Sequence, residues 1–175
     1  MDELPILQVR EIEANITKPI YEEMVAELGE DRAREILTTA INKDAMRQGA
    51  ELAASTDEPN NLETFTTLMG RWSKGDALTK EPLHSSKDQL DFNVTRCRYA
   101  ETYAEMGLSH IGTILSCGRD GSLCEGYNPD VTLTRTQTIM GGATHCDFRF
   151  KINKDGWADA AGGPAGSDYR RGIGY

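Results

Sequence analysis

The chain has 175 residues, enough for one domain with its own core. Asp and Glu number 28 against 19 Lys and Arg, a net charge of -9, which argues against a nucleic-acid phosphate partner and is unfavourable at an anionic membrane surface. No basic segment followed by an apolar run opens the sequence, and no apolar stretch approaches the ~20 residues of a membrane helix, so a soluble, cytoplasmic protein is expected.

The first third is helical in character. Thr17 is a plausible N-cap with Pro19 in the first turn, and Ile20, Met24, Val25 and Leu28 follow helical spacing up to Gly29. A second helix is expected from Asp31 to about Ala54, with Gly49 as its weak point. Ser55 to Asn61 reads as a loop, and Leu62, Phe65, Leu68, Met69 and Trp72 as the next amphipathic helix. Ser73 to Asp88 is polar and turn-rich. Leu90, Phe92 and Val94 then alternate with Asp91, Asn93 and Thr95, the period of a half-buried strand.

Cys97 to Gly107 is helical again, and Ser109 to Cys117 predicts a short helix capped by Ser109. Cys117 to Asp130 (CGRDGSLCEGYNPD) is the most loop-like stretch inside the domain, where sites concentrate. Val131 to Ile139 alternates with threonines and predicts a strand. Met140 to Ala143 makes a turn, and the last strand puts Cys146, Phe148, Phe150 and Ile152 on one face, Asp147, Arg149 and Lys151 on the other. The expected architecture is α+β: a helical N-terminal half packed on an antiparallel sheet built mainly from the C-terminal half. Residues 1–153 form the domain and 154–175 a Gly-rich tail.

Four cysteines, Cys97, Cys117, Cys124 and Cys146, are separated by 20, 7 and 22 positions. No CxxC pair is present, so a zinc ribbon is not expected, and a reducing cytosol disfavours disulfides. The thiols are core fillers, ligands or nucleophiles.

The segments CRYAETYAEMGLSHIG, LSCGRD and EGYNPDVTLTRTQTIMGGATHCDFRF carry a resemblance. Over about Leu90 to Ile152 the chain resembles the L-2-amino-thiazoline-4-carboxylic acid hydrolase family. More distantly, the small-residue turn and closing Cys-x-Phe strand are similar to 4-vinyl-reductase-like and Bet3-like ligand-binding domains. The resemblance implies hydrolytic opening of a small cyclic amidine, read as C–N bond hydrolysis, with N-carbamoylcysteine as the family's product. No cofactor is expected. The distant likeness implies a homodimer, for which the helical front half offers apolar stripes. The alternative on the same scaffold is a small-molecule-binding or sensor module without turnover.

Opening a cyclic amidine requires a nucleophile, a base and an acid, with a carboxylate for the amidinium and an Arg for a substrate carboxylate. The catalytic candidates are Cys117, Asp120 and His145. Cys117 sits at a helix C-terminus, which does not activate a thiol, and Asp120 is either a base, an amidinium anchor or an Asx-turn residue. His145 has the ordinary pKa of ~6.5 suited to proton transfer, or is a solvated turn residue. His145 and Asp147 share a strand face while Cys146 points to the apolar side. Arg135 points toward a buried face and needs a partner: Glu125, Asp120 or a substrate carboxylate. Substrate-binding candidates are thus Arg135, Glu125 and Asp147, together with Tyr99, whose ring can stack on a flat ligand. His145, Asp120 and the cysteines could assemble metal ligands only in space, since their spacing gives no support, and no metal is assigned.

Overall fold

The computed structural model describes residues 4–153, so the predicted tail lies outside the described residues. Helices α1 (Ile6–Leu28), α2 (Glu30–Ala54) and α3 (Leu62–Leu68) come first, and an irregular 3₁₀ stretch, Met69–Asp76, follows. Strands β1 (Leu78–Ser85) and β2 (Gln89–Cys97) lead into α4 (Arg98–Glu105), α5 (Ser109–Leu115) and α6 (Asp120–Tyr127). Strands β3 (Val131–Thr134) and β4 (Cys146–Ile152) complete an antiparallel sheet of order β1-β2-β4-β3. This is the expected α+β arrangement.

Two cores hold it together. In one, the inward residues of β2 and β4 pack under α2, α3 and α6: Leu90 pairs with Phe150, Phe92 with Phe148, and Val94 with Cys146. The second joins α1, α2, α4 and α5 around Tyr21, Leu37, Tyr103 and Ile111. Asn61 caps α3, its side chain accepting from the N–H groups of Glu63 and Thr64. No helix among the described residues is long and apolar enough to cross a membrane.

Several elements differ from the sequence expectation. First, α1 does not start near Thr17 but runs unbroken through Pro19. Proline leaves the carbonyl of Asn15 without its helical donor; both residues are exposed, so water takes that oxygen and the helix survives. Gly29, at φ 82°, then turns the chain straight into α2.

Second, the polar stretch after Ser73 contains β1. This edge strand is charged and mostly exposed, carries Pro82, and shifts register between Thr79 and Lys80 and again between Pro82 and His84. Its outward residues carry no apolar alternation to read.

Third, Cys117 to Asp130 is not mainly loop: a single 3₁₀ turn, Cys117–Arg119, runs into α6. The helix forms because it lies hard against α2 at two glycines. A Cβ on Gly49 would fall 2.1 Å from the Leu123 carbonyl oxygen, and one on Gly126 would fall 2.0 Å from that of Met46. Gly49 is therefore a contact point of α2 rather than a weak point. Hydrogen bonds from the Tyr127 hydroxyl to the Asn61 carbonyl (3.0 Å) and from the Asn128 side chain to the Asn60 carbonyl (2.7 Å) tie down the far end of α6.

Fourth, β3 stops at Thr134 instead of reaching Ile139, and Ser109 provides no side-chain cap for α5.

A buried carboxylate between a cavity and a cleft

The inward faces of β2 and β4 form the floor of a cavity of about 80 Å³. Alternation along the strands delivers Phe92, Val94, Cys146 and Phe148 to it. Phe65, Trp72 and Tyr99 form its sides, and α6 with the turn before it contributes Cys117, Asp120 and Cys124. The Phe92 and Phe148 rings stack at 4.9 Å. All four cysteines line this cavity, and all are free thiols.

Asp120 is the first residue of α6. Its side chain lines the cavity and is 34% accessible. Arg135, just past the end of β3, donates from Nη1 to Asp120 Oδ2 at 2.5 Å and from Nη2 to the Cys117 carbonyl at 2.8 Å. Its guanidinium lies 4.9 Å from the centre of the Phe148 ring. Of the three partners considered for Arg135, the structure supplies Asp120. Burial pushes the Asp120 carboxyl up from the ordinary carboxylate value, and the Arg135 guanidinium opposes it without cancelling it.

The thiols are held protonated. Burial pushes Cys117 far up, and the Asp120 charge adds to it. Burial pushes Cys97 up to about 11 and also raises Cys124 and Cys146. Cys146 further accepts the Ile139 N–H at 3.2 Å, as an ordered packing group would.

A second, wider recess of about 690 Å³ lies on the other side of Arg135, bounded by Thr113, Gly118, Gln137 and Thr138 among others. Cys117 lines both spaces, and the Asp120–Arg135 pair bridges them, with Asp120 in the inner wall and Arg135 in the outer.

The remaining predicted residues lie as follows. Tyr99 is buried with its ring in the cavity wall, and its hydroxyl donates to the Trp72 carbonyl at 3.0 Å. Glu125 is exposed on α6 and lines neither space. His145 precedes β4 beside Gln137 and Thr144, and lines neither space. Asp147 accepts from Thr136 Oγ1 (2.7 Å) and from the N–H groups of Thr136 (3.0 Å) and Gln137 (2.9 Å), which ends β3 and seats the segment after Arg135.

Burial works against the Asp147 charge, but those hydrogen bonds win and hold its carboxyl below the ordinary value. A depressed carboxyl adds stability above its unfolded pKa of ~3.9 and loses it as pH falls through the folded value. Asp147→Ala is expected to cost about 1–2 kcal/mol at pH 7, discounted for its half-exposed position, with the difference shrinking in acid. Denaturant unfolding at pH 7 and pH 3 checks it, and an equal loss at both pH values would contradict it.

The sequence reading missed Arg10 and Arg119, both buried and both in the cavity wall. Arg10 stands four residues before buried Ala14 on one helical stripe, a signal that existed but lay upstream of the predicted helix start. Arg119 sat in the presumed loop. Among the described residues, no three His, Cys, Asp or Glu side chains are grouped as metal ligands would be.

Residues 9–150 match the sequence model of a family described as L-2-amino-thiazoline-4-carboxylic acid hydrolase. No curated protein matches the chain. Among solved structures, the chain is similar to the phenol-responsive sensory domain of the transcription activator PoxR, crystallised with phenol. Identity is 14%, coverage is 87% of this chain and 76% of that one, and the TM-score is 0.49.

Proposed function

From the premise that this chain belongs to the L-2-amino-thiazoline-4-carboxylic acid hydrolase family, we propose that it opens a small cyclic amidine of the thiazoline type by adding water, inside the cavity that Asp120 faces. The observation that carries this reading is a carboxyl raised by burial on the wall of a mostly apolar, ring-sized space. A flat heterocycle fits the apolar space that Phe148 and Tyr99 line, with its amidine toward Asp120.

The thiols enter this chemistry as walls. A thiol held protonated by burial is a poor nucleophile, so water attacks the amidine carbon. Asp120 takes one proton of that water and its hydroxyl bonds to C2. With the amidine bound as its cation, collapse of the adduct breaks the ring bond at C2: the departing atom receives the proton from Asp120, the C2 hydroxyl gives its own proton back to Asp120 and on to solvent, and the C–O bond becomes a urea carbonyl. A product that keeps both C–N bonds, as N-carbamoylcysteine does, requires the C2–S bond to break. The C–N reading from sequence is therefore replaced by C–S cleavage, and a thiol is the better leaving group, since its pKa of ~8.5 needs little help.

Mass spectrometry of the protein incubated with 2-aminothiazoline-4-carboxylate and related cyclic amidines tests this. The expected result is a gain of one water with a new free thiol, unchanged in rate for Cys117→Ala within about threefold. A water gained with a free amine instead of a thiol would refute C–S cleavage. No mass change across the panel, with binding retained, would favour a non-catalytic small-molecule-binding module, a reading that the apolar lining of the cavity also suits.

A further inference from the structure

The wide recess outside Arg135 carries polar groups that the fold itself does not use. Asn42, on α2, lines it and is only 6% exposed. Its carboxamide makes no hydrogen bond among the described residues. Thr38, one turn back on the same stripe of α2, lines the recess too, as do Thr113 on α5 and Thr134 at the end of β3. The hydroxyls of these three threonines are likewise unpartnered among the described residues. Their neighbours Thr136 and Thr138 differ: Thr136 Oγ1 donates to Asp147 at 2.7 Å, and Thr138 Oγ1 accepts the Gly141 N–H at 2.9 Å.

At a buried position inside a helix, an aliphatic residue is better than Asn for both propensity and burial. Stability alone therefore does not favour Asn42, and a buried amide calls for a partner. The recess wall says what kind. Among the described residues no Asp or Glu lines it, and its one guanidinium, Arg135, is held by Asp120. No aromatic ring lines it, so a sugar or base would find no face to stack on. Ile114 and Leu133 offer aliphatic contact. A carboxamide sets N–H donors and a carbonyl acceptor in one plane, and a second amide is its complement. The volume of about 690 Å³ falls within the roughly 300–1,000 Å³ of small-molecule sites.

We propose that this recess is a second binding site, in which Asn42, Thr38, Thr113 and Thr134 hold an uncharged, amide-bearing small molecule. The site lies outside the cavity, so it stands whether or not a ring is opened there.

The test is a ¹H–¹⁵N NMR titration of the full chain with N-acetylalaninamide, its methyl ester analogue N-acetylalanine methyl ester, and the charged N-acetylalaninate. N-acetylalaninamide is expected to give saturable shifts at the Asn42 side-chain amide and at the Thr113 and Thr134 backbones. The ester, which lacks the terminal amide, should bind at least fivefold more weakly. Asn42→Leu should lose saturable binding while its Tm equals or exceeds that of the wild type, because a buried amide without a protein partner is removed. Thr113→Val, nearly the same shape, should weaken binding at least threefold and serves if Asn42→Leu does not fold. No saturable binding, shifts confined to cavity residues such as Cys97 and Phe148, or affinity unchanged in both variants would overturn the site. A Tm of Asn42→Leu well below wild type would make Asn42 a packing group and overturn its role. Tighter binding of N-acetylalaninate than of the amide would show that Arg135 reads a charge and overturn the uncharged class.

Discussion

Asp120→Asn is expected to lower kcat on a ring-opened amidine by about 10²–10⁴-fold, the ordinary contribution of a positioned base. The carboxamide oxygen can still accept from Arg135 Nη1, so the buried guanidinium keeps a partner. Stability should therefore fall by about 1–3 kcal/mol, far less than a bare buried cation would cost. In the wild type the base form of Asp120 populates only above its raised pKa, so kcat/KM should drop on the acid side at a pH above the ordinary carboxylate value of ~3.9. Turnover of Asp120→Asn within threefold of wild type, with the protein folded by thermal melt, would remove Asp120 from the chemistry. An acid limb at or below pH 4 would remove it as the titrating group.

Gly126→Ala and Gly49→Ala are expected to destabilise the fold, against what helix propensity alone would give. In a helix interior Ala is better than Gly by roughly 0.5–1 kcal/mol. Here the added methyl would stand 2.0 Å from the Met46 carbonyl oxygen or 2.1 Å from that of Leu123, and both obstacles are backbone rather than a movable side chain. Overpacking of this kind costs about 3 kcal/mol, so the net loss is about 2 kcal/mol or more, several degrees in Tm at this chain length. Because α6 begins at Asp120, the shift also moves the carboxyl, so kcat should fall even at temperatures where the variants are folded. A Tm equal to or above wild type for either variant would show that α2 and α6 are not in such close approach.

What the sequence displayed follows from periodicity. Phe92 and Val94 on β2, and Cys146, Phe148 and Phe150 on β4, alternate so plainly that the floor of the cavity could be drawn before any coordinates. Arg135 standing among apolar neighbours announced a buried ion pair, and Asp120 was among its named partners.

What stayed hidden depends on contacts across the chain. The stretch CGRDGSLCEGY has the residues of a loop, and only α2 passing within van der Waals contact of Gly126 makes it a helix. The sequence could not show that Pro19 sits where water can reach the carbonyl it frees, so α1 was started too late and Arg10 was overlooked. His145, as a proton-transfer candidate, and Asp147, as a substrate-binding one, share one strand face in the sequence pattern. The three hydrogen bonds that occupy Asp147 come from a segment whose path the sequence did not specify.

The outer strands of the sheet bear on how copies of this chain meet. A free strand edge is a template for another chain, and long, flat, apolar edges lead to stacked aggregates. Here one edge, β1, carries Lys80, Glu81 and Pro82 and is bent by two register shifts, while the other, β3, has only four residues. Neither offers a run of hydrogen-bonding groups that a second molecule could extend. Self-association by sheet continuation is thereby discouraged at both ends. A symmetric pairing of two such chains would have to use side-chain surfaces, such as the outward row of Ile12, Ile16 and Ile20 on α1, rather than backbone.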